Sequence, residues 1–340
     1  MPNRRDPWLD NAKMVLVTLV VVGHAIVVLP TSDLEQRAYD FIYYFHIPVF
    51  VLLTGYLSKS FRYTGRHLWS LLTTLVLPYV VFSWLMVHWR HILGDGPLLD
   101  PIWSNPRWPM WYLIVLVIWR LATPVLKAHW AMLPASVVVS LLAGGTDQEL
   151  FDLNRAMGLL PFFVLGLHLT PDALGVARRR WAWVAGLVIL AAIWWLADHT
   201  NDFWSTQWLY YRSSYDSLGV GLGEGAWTRA RLMVVSVAGC FAVMSLIPHR
   251  RTFLTDMGAF SLVVYLLHGF PVRYADYEDH ARWLPSNDVL SLVIVVALAV
   301  ALAVLLAWPP LARRLTYLVD PVNSLWKRSR STSDAAVNTR

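Results

Sequence analysis

A single cysteine, Cys240, is all the sulfhydryl chemistry the 340-residue chain has. That excludes an intramolecular disulfide framework and a thiolate metal site, and leaves Cys240 as a small apolar helix residue. Charge is scarce as well: 15% of residues are Asp, Glu, Lys or Arg, against roughly 25% in an ordinary soluble protein. A disordered chain or a nucleic-acid-coating protein is excluded on that ground, and no nucleic acid is expected as a partner. No internal repeat is present. The first apolar run is followed by no small-residue cleavage site, only by Pro30 and the acidic connector Asp33 to Asp40, so it is expected to stay as a helix.

What is abundant is hydrophobic sequence, 57% of the chain, at a mean hydropathy of +0.48. It falls into apolar runs separated by short charged connectors, the distribution of a chain dissolved in lipid. Ten runs are candidate helices across the bilayer: 14–29, 41–57, 68–87, 110–126, 130–143, 156–169, 181–197, 230–247, 258–272 and 289–308. The expected fold class is all-α, a polytopic membrane protein of about ten transmembrane helices. Residues 1–320 are expected to form one transmembrane domain and 321–340 a polar tail of disordered composition.

The charges support this count. With the N-terminus in the cytoplasm, ten crossings place 19 of the 28 basic residues inside, for a net +13, and leave the outer face at −7. Both termini are therefore expected in the cytoplasm, in a multi-pass protein of the cell (plasma) membrane. The longest connector, 198–229, carries Trp204, Trp208, Tyr210 and Tyr211 with glycines at 219, 221, 223 and 225. Composition alone does not say whether it is an ordered cap or a mobile lid.

Ionisable residues at membrane depth are functional candidates by default. His24 lies 11 residues after Lys13, close to three helical turns, so both share a face about 16 Å apart along the axis. By the same rise per residue, His46 and His268 stand roughly 18 Å and roughly 15 Å above the cytoplasmic boundary. Three helices thus place an imidazole in one layer. Each histidine alone could be polar glue between helices. A three-histidine metal site fits by residue type, but no acidic pattern accompanies it, and no metal is expected. A neutral imidazole near the midplane is suited to taking a proton from a hydroxyl. Lys13, Lys59, Arg62, Arg66 and Arg120 cluster near the inner interface and suit a polyphosphate, although positive-inside anchoring explains such residues equally well.

The ordered set Arg5 to Lys13 (RDPWLDNAK), Gly23-His24, Tyr44 to Phe50 (YFHIPVF), Thr54-Gly55-Tyr56, Met110 to Leu113 (MWYL) and Tyr265 to Gly269 (YLLHG) resembles the acyltransferase-3 family of membrane O-acyltransferases. The likeness is nearest to its fucose 4-O-acetylase-like branch, and extends over residues 5–308. It implies transfer of an acyl group, usually acetyl, from cytoplasmic acyl-CoA to a hydroxyl of a carbohydrate or related acceptor. The co-substrate is then acetyl-CoA or another acyl-CoA. The family signature of an arginine, ten residues and a histidine on the first span has Lys13 in the arginine position here. Lysine keeps the charge and loses the bidentate phosphate fork. The resemblance and the reading of the residues agree on His24, taken as general base, with Lys13, His46, Tyr112 and His268 as further catalytic candidates. Lys13, Lys59, Arg62, Arg66 and Arg120 are the acyl-CoA-binding set.

Tyr112 and His46 are expected to donate to the oxyanion or to orient His24, and a covalent acyl-histidine is the alternative to direct attack. Trp103, Trp108, Trp111, Trp204 and Trp208 are candidates to stack on a sugar, or members of an interfacial aromatic belt. Only about 32 residues follow the last span, so the membrane domain is expected to complete the transfer alone. Rival readings are a proton-coupled transporter or flippase, and an acyltransferase acting on a cytoplasmic small molecule.

Overall fold

The computed structural model describes residues 6–94, 106, 108–147, 150–277, 280–322 and 324. Most of the 321–340 tail and Trp103 lie outside these residues. All regular structure among them is helical. Among the described residues seven helices are long and apolar enough to cross a membrane: α1 (Pro7–Ile26), the pair α2 (Asp33–Tyr43) and α3 (His46–Ser58) taken together, α4 (Gly65–Ile92), and four later in the chain. Between these groups lie two shorter apolar helices, α5 (Trp111–Leu126) and α6 (Met132–Ala143). A further pair, α7 (Leu153–Gly158) and α8 (Leu160–His168), bends by 59° between its helical segments. The later four are α9 (Arg180–Asp198), α10 (Leu222–Leu246), α11 (Phe253–Tyr277) and α12 (Asp288–Ala307). Each of the ten apolar runs therefore contains helix, though three of them are short or bent.

Some boundaries differ from the sequence expectation. Asp33 to Asp40 is helix, not connector, because the Ser32 hydroxyl accepts from the Glu35 amide and the acidic Asp33 and Glu35 stand in the first turn. The ninth run is 25 residues long, not 15, since α11 continues through a 3₁₀ turn at Gly258–Phe260. Helix α10 starts at Leu222, within the expected long connector. What remains of that connector packs as a cap: the Thr206 hydroxyl donates to Asp40, Gln36 donates to Thr206, Tyr39 meets Tyr210, and the Trp204 indole donates to Tyr44.

Helix α1 is the axis of the site, and its start is pinned twice. Asp6 caps it through the Trp8 amide at 3.0 Å and pairs with Arg178 at 2.6 Å, while Pro7 supplies the preset first turn. Buried Asn11 fills all four of its hydrogen-bonding positions. Its amide donates to the Pro248 and Arg250 carbonyls, and its carbonyl oxygen accepts from the Thr252 and Thr255 hydroxyls. That one side chain fastens α1 to the link between α10 and α11. Helices α3 and α8 meet backbone to backbone: a Cβ on Gly55 would lie 2.1 Å from the Phe163 carbonyl oxygen, and one on Gly166 2.0 Å from that of Leu52. Close helix contact through small residues is the usual cement of helices in lipid. Cys240 is buried, as a small apolar residue should be.

Candidate active site

The three histidines sit where helices end or break. His24 is in the last turn of α1, His46 opens α3 after the break at Tyr44 and Phe45, and His268 lies at the break inside α11. Two of them tie back to the carbonyl four residues earlier: His46 Nδ1 is 2.9 Å from the Ile42 oxygen, and His268 Nδ1 is 3.0 Å from the Val264 oxygen. A carbonyl only accepts, so each Nδ1 carries the proton, and a neutral ring then has its lone pair on Nε2.

That assignment propagates. His268 Nε2 lies 2.9 Å from His24 Nδ1, with the ring planes within 14° of each other and the centroids 5.2 Å apart. Nδ1 of His24 must therefore donate, which leaves Nε2 of His24 as its basic nitrogen. All three rings are buried. Helix depth alone does not reveal this contact, because it carries no azimuth.

His24 stands where two spaces meet. A cavity of about 670 Å³ is lined by His24, Trp108, Trp111, Tyr43, Tyr210, Asp152, Arg155 and Arg273, among others. A void of about 30 Å³ continues it past His24, His46, Tyr112 and Tyr265. Beyond lies a second cavity of about 250 Å³, which shares Tyr112 and Tyr265 with the void and reaches Lys13 and Arg120. Trp108 packs edge-on against His24 at 4.5 Å.

The expected oxyanion donors are otherwise engaged. Thr54 donates to the Phe50 carbonyl at 2.6 Å, so the short bond between Thr54 and Tyr112 spends the tyrosine proton. Tyr265 donates to the Pro109 carbonyl. Neutral His46 presents to the void a buried Nε2 lone pair, which has no partner among the described residues. Neither His46 nor Tyr112 offers a hydrogen in this arrangement, and His268, not either of them, orients His24.

The basic candidates separate into two groups. Lys13, paired with Asp10 at 2.8 Å, and Arg120 line the smaller cavity. Lys59 donates to the Leu169 carbonyl and lies 4.4 Å over the Tyr56 ring, and burial pushes its ammonium below the usual lysine range. Arg62 and Arg66 are exposed. Neither they nor Lys59 lines this cavity. Among the described residues no cluster of three His, Cys, Asp or Glu could hold a metal ion.

Sequence reasoning missed the polar wall of the larger cavity. Phe151 and Asp152 both take left-handed backbone, φ 51° and 56°, a strained pair of the kind held only by surrounding contacts. The turn sets Asp152 3.0 Å from Arg155 and 3.6 Å from Arg212. Arg155 stacks over Trp111 at 4.2 Å. The available signal was a charge at the very edge of the sixth apolar run.

A family model described as an acyltransferase domain, acyltransferase 3, matches residues 6–308. The chain belongs to the acyltransferase-3 family. Among curated proteins, the nodulation protein NolL of Mesorhizobium japonicum is 23% identical over 340 aligned residues, covering 93% of this chain and 89% of its own length. No solved structure matches the chain. Membership makes this acyltransferase-3 protein a membrane acyltransferase, and sets the transporter reading aside. The match spans α1 to α12, so His24, His46, His268, Lys13 and Arg120 all fall within it.

Proposed function

We propose that the protein moves an acyl group, most simply acetyl, from acyl-CoA to a hydroxyl of a carbohydrate-like acceptor, as in the fucose 4-O-acetylase-like branch. The observation that carries this reading is the position of His24 between two cavities, with its basic nitrogen fixed by His268. Acyl-CoA enters the smaller cavity, with Lys13 and Arg120 meeting its phosphates. Its thioester end reaches the void beside Tyr112 and His46. The acceptor occupies the larger cavity, whose lining includes Trp108, Trp111, Tyr43 and Tyr210.

His24 Nε2 takes the hydroxyl proton as the acceptor oxygen attacks the thioester carbonyl. The carbon–sulfur bond then breaks, the acceptor leaves as an ester, and coenzyme A thiolate takes the proton back from His24. The imidazolium formed in between keeps its Nδ1–H bond to His268, as an orienting partner does in other base-catalysed sites. The charge asymmetry of +13 against −7, counted over ten crossings, supports a cytoplasmic Lys13 end and a larger cavity that opens outward across the plasma membrane.

The test is the acyl content of cell-surface glycans and glycolipids in cells with and without the protein. Loss of one class of ester on deletion, restored by the wild-type chain, supports the reading. Unchanged surface esters with a changed cytoplasmic metabolite overturn the outward acceptor.

A further inference from the structure

Among the described residues, two arginines on the wall of the larger cavity keep a buried N–H donor that no carboxylate meets. Arg155 and Arg273 stand on its wall, each stacked on a tryptophan that also lines it: Arg155 over Trp111 at 4.2 Å, Arg273 over Trp108 at 4.8 Å. Trp108 in turn touches His24. Each guanidinium has five N–H donors in a rigid fork. Among the described residues, Arg155 meets one carboxylate oxygen of Asp152 at 3.0 Å, and Arg273 one of Asp276 at 2.7 Å. The Nε of both is buried with no partner among the described residues. Asp152 is further engaged by Arg212 at 3.6 Å, so its acceptor capacity is already shared.

The Arg155 side chain is 12% exposed and that of Arg273 27%; their buried Nε–H groups are costly without an acceptor, and oxygen-rich anions match guanidinium geometry in pairs. The strained turn at Phe151 and Asp152 sets Asp152 against Arg155, while Asp276 holds Arg273.

We infer that the larger cavity recognises an acidic acceptor, its phosphate or carboxylate bound by Arg155 and Arg273 while a hydroxyl of the same molecule faces His24. This rests on the acyl-transfer reading above and narrows its acceptor to an anionic sugar. Arg155 and Arg273 are binding residues in this account, placed to set which hydroxyl reaches the base.

The test uses the purified full chain in detergent, with tryptophan fluorescence as the binding signal. The probes are methyl glucoside, glucose 1-phosphate, glucuronate and coenzyme A. Binding of glucose 1-phosphate, glucuronate or both about 10-fold or more tighter than methyl glucoside is expected, consistent with a charge-assisted pair. Whichever of the two binds tighter identifies the anion as phosphate or carboxylate. Arg155→Gln and, as a variant farther from the Asp152 turn, Arg273→Gln should each remove most of that preference. Equal affinity for all three sugars overturns the inference, and so does coenzyme A being the ligand that loses affinity in both variants. Acetyl-CoA-dependent transfer by wild type and His24→Ala is measured in parallel. Transfer that depends on His24 without any anion preference removes only this inference, whereas transfer independent of His24 removes the reading beneath it.

Discussion

His24 Nδ1 and His268 Nε2 lie 2.9 Å apart although 244 residues separate them in the chain. The Val264 carbonyl fixes the His268 tautomer, and His268 fixes that of His24. A backbone oxygen on α11 thereby decides which nitrogen of an α1 histidine is basic, and the decision holds only while both helices keep their registers.

Replacing His268 should therefore damage rate more than binding. His268→Ala removes the orienting partner and leaves the base in place, so kcat is expected to fall by about 10- to 100-fold, short of the loss of the base itself. KM for acyl-CoA should change little, and the acid limb of the pH profile should move. An unchanged profile and rate in a well-folded His268→Ala protein would assign the residue to helix packing.

Lys13 tests the donor side. If its ammonium meets a phosphate, Lys13→Ala should weaken acyl-CoA binding about 10-fold or more, and Lys13→Arg should hold or improve it. Raising salt should shrink the difference. Equal affinities for all three proteins would reduce Lys13 to one of the anchoring cations.

Asn11 tests the frame. Asn11→Ala strips partners from two carbonyls and two hydroxyls and should cost about 1–3 kcal/mol, visible as a lower Tm in detergent. Asn11→Asp keeps two acceptors and loses both donors, so it should also be less stable than wild type. Wild-type Tm in both variants would mean that α1 is held elsewhere.

Orientation has its own check. A cysteine at position 221 should react with an impermeant reagent on intact cells and one at position 333 should not, while buried Cys240 stays silent in both. The reverse pattern would turn the molecule over and exchange the roles of the two cavities.

Much of this was legible in the sequence because membrane helices obey one rise per residue. All ten apolar runs contain helix, seven of them in helices long and apolar enough to cross a membrane, and counting residues pointed to His24, His46 and His268, which line or adjoin one site. The pairing of His24 with His268 was not legible, since depth is independent of azimuth and the break in α11 sets the ring direction. Helix ends misled where polar residues are themselves good caps, as at Ser32 and Asp33. The wall of Asp152, Arg155 and Arg273 escaped notice for a different reason: it is assembled from a left-handed turn and the far end of α11, and no local pattern joins them.

The central claim is that His24 is the base. Isolated membranes matched for protein abundance, given acetyl-CoA labelled in the acetyl group, report transfer to membrane-associated acceptors directly. His24→Ala should lower that transfer by about 10²- to 10⁴-fold with insertion and Tm intact. Near-wild-type transfer by a well-folded His24→Ala protein would contradict the account.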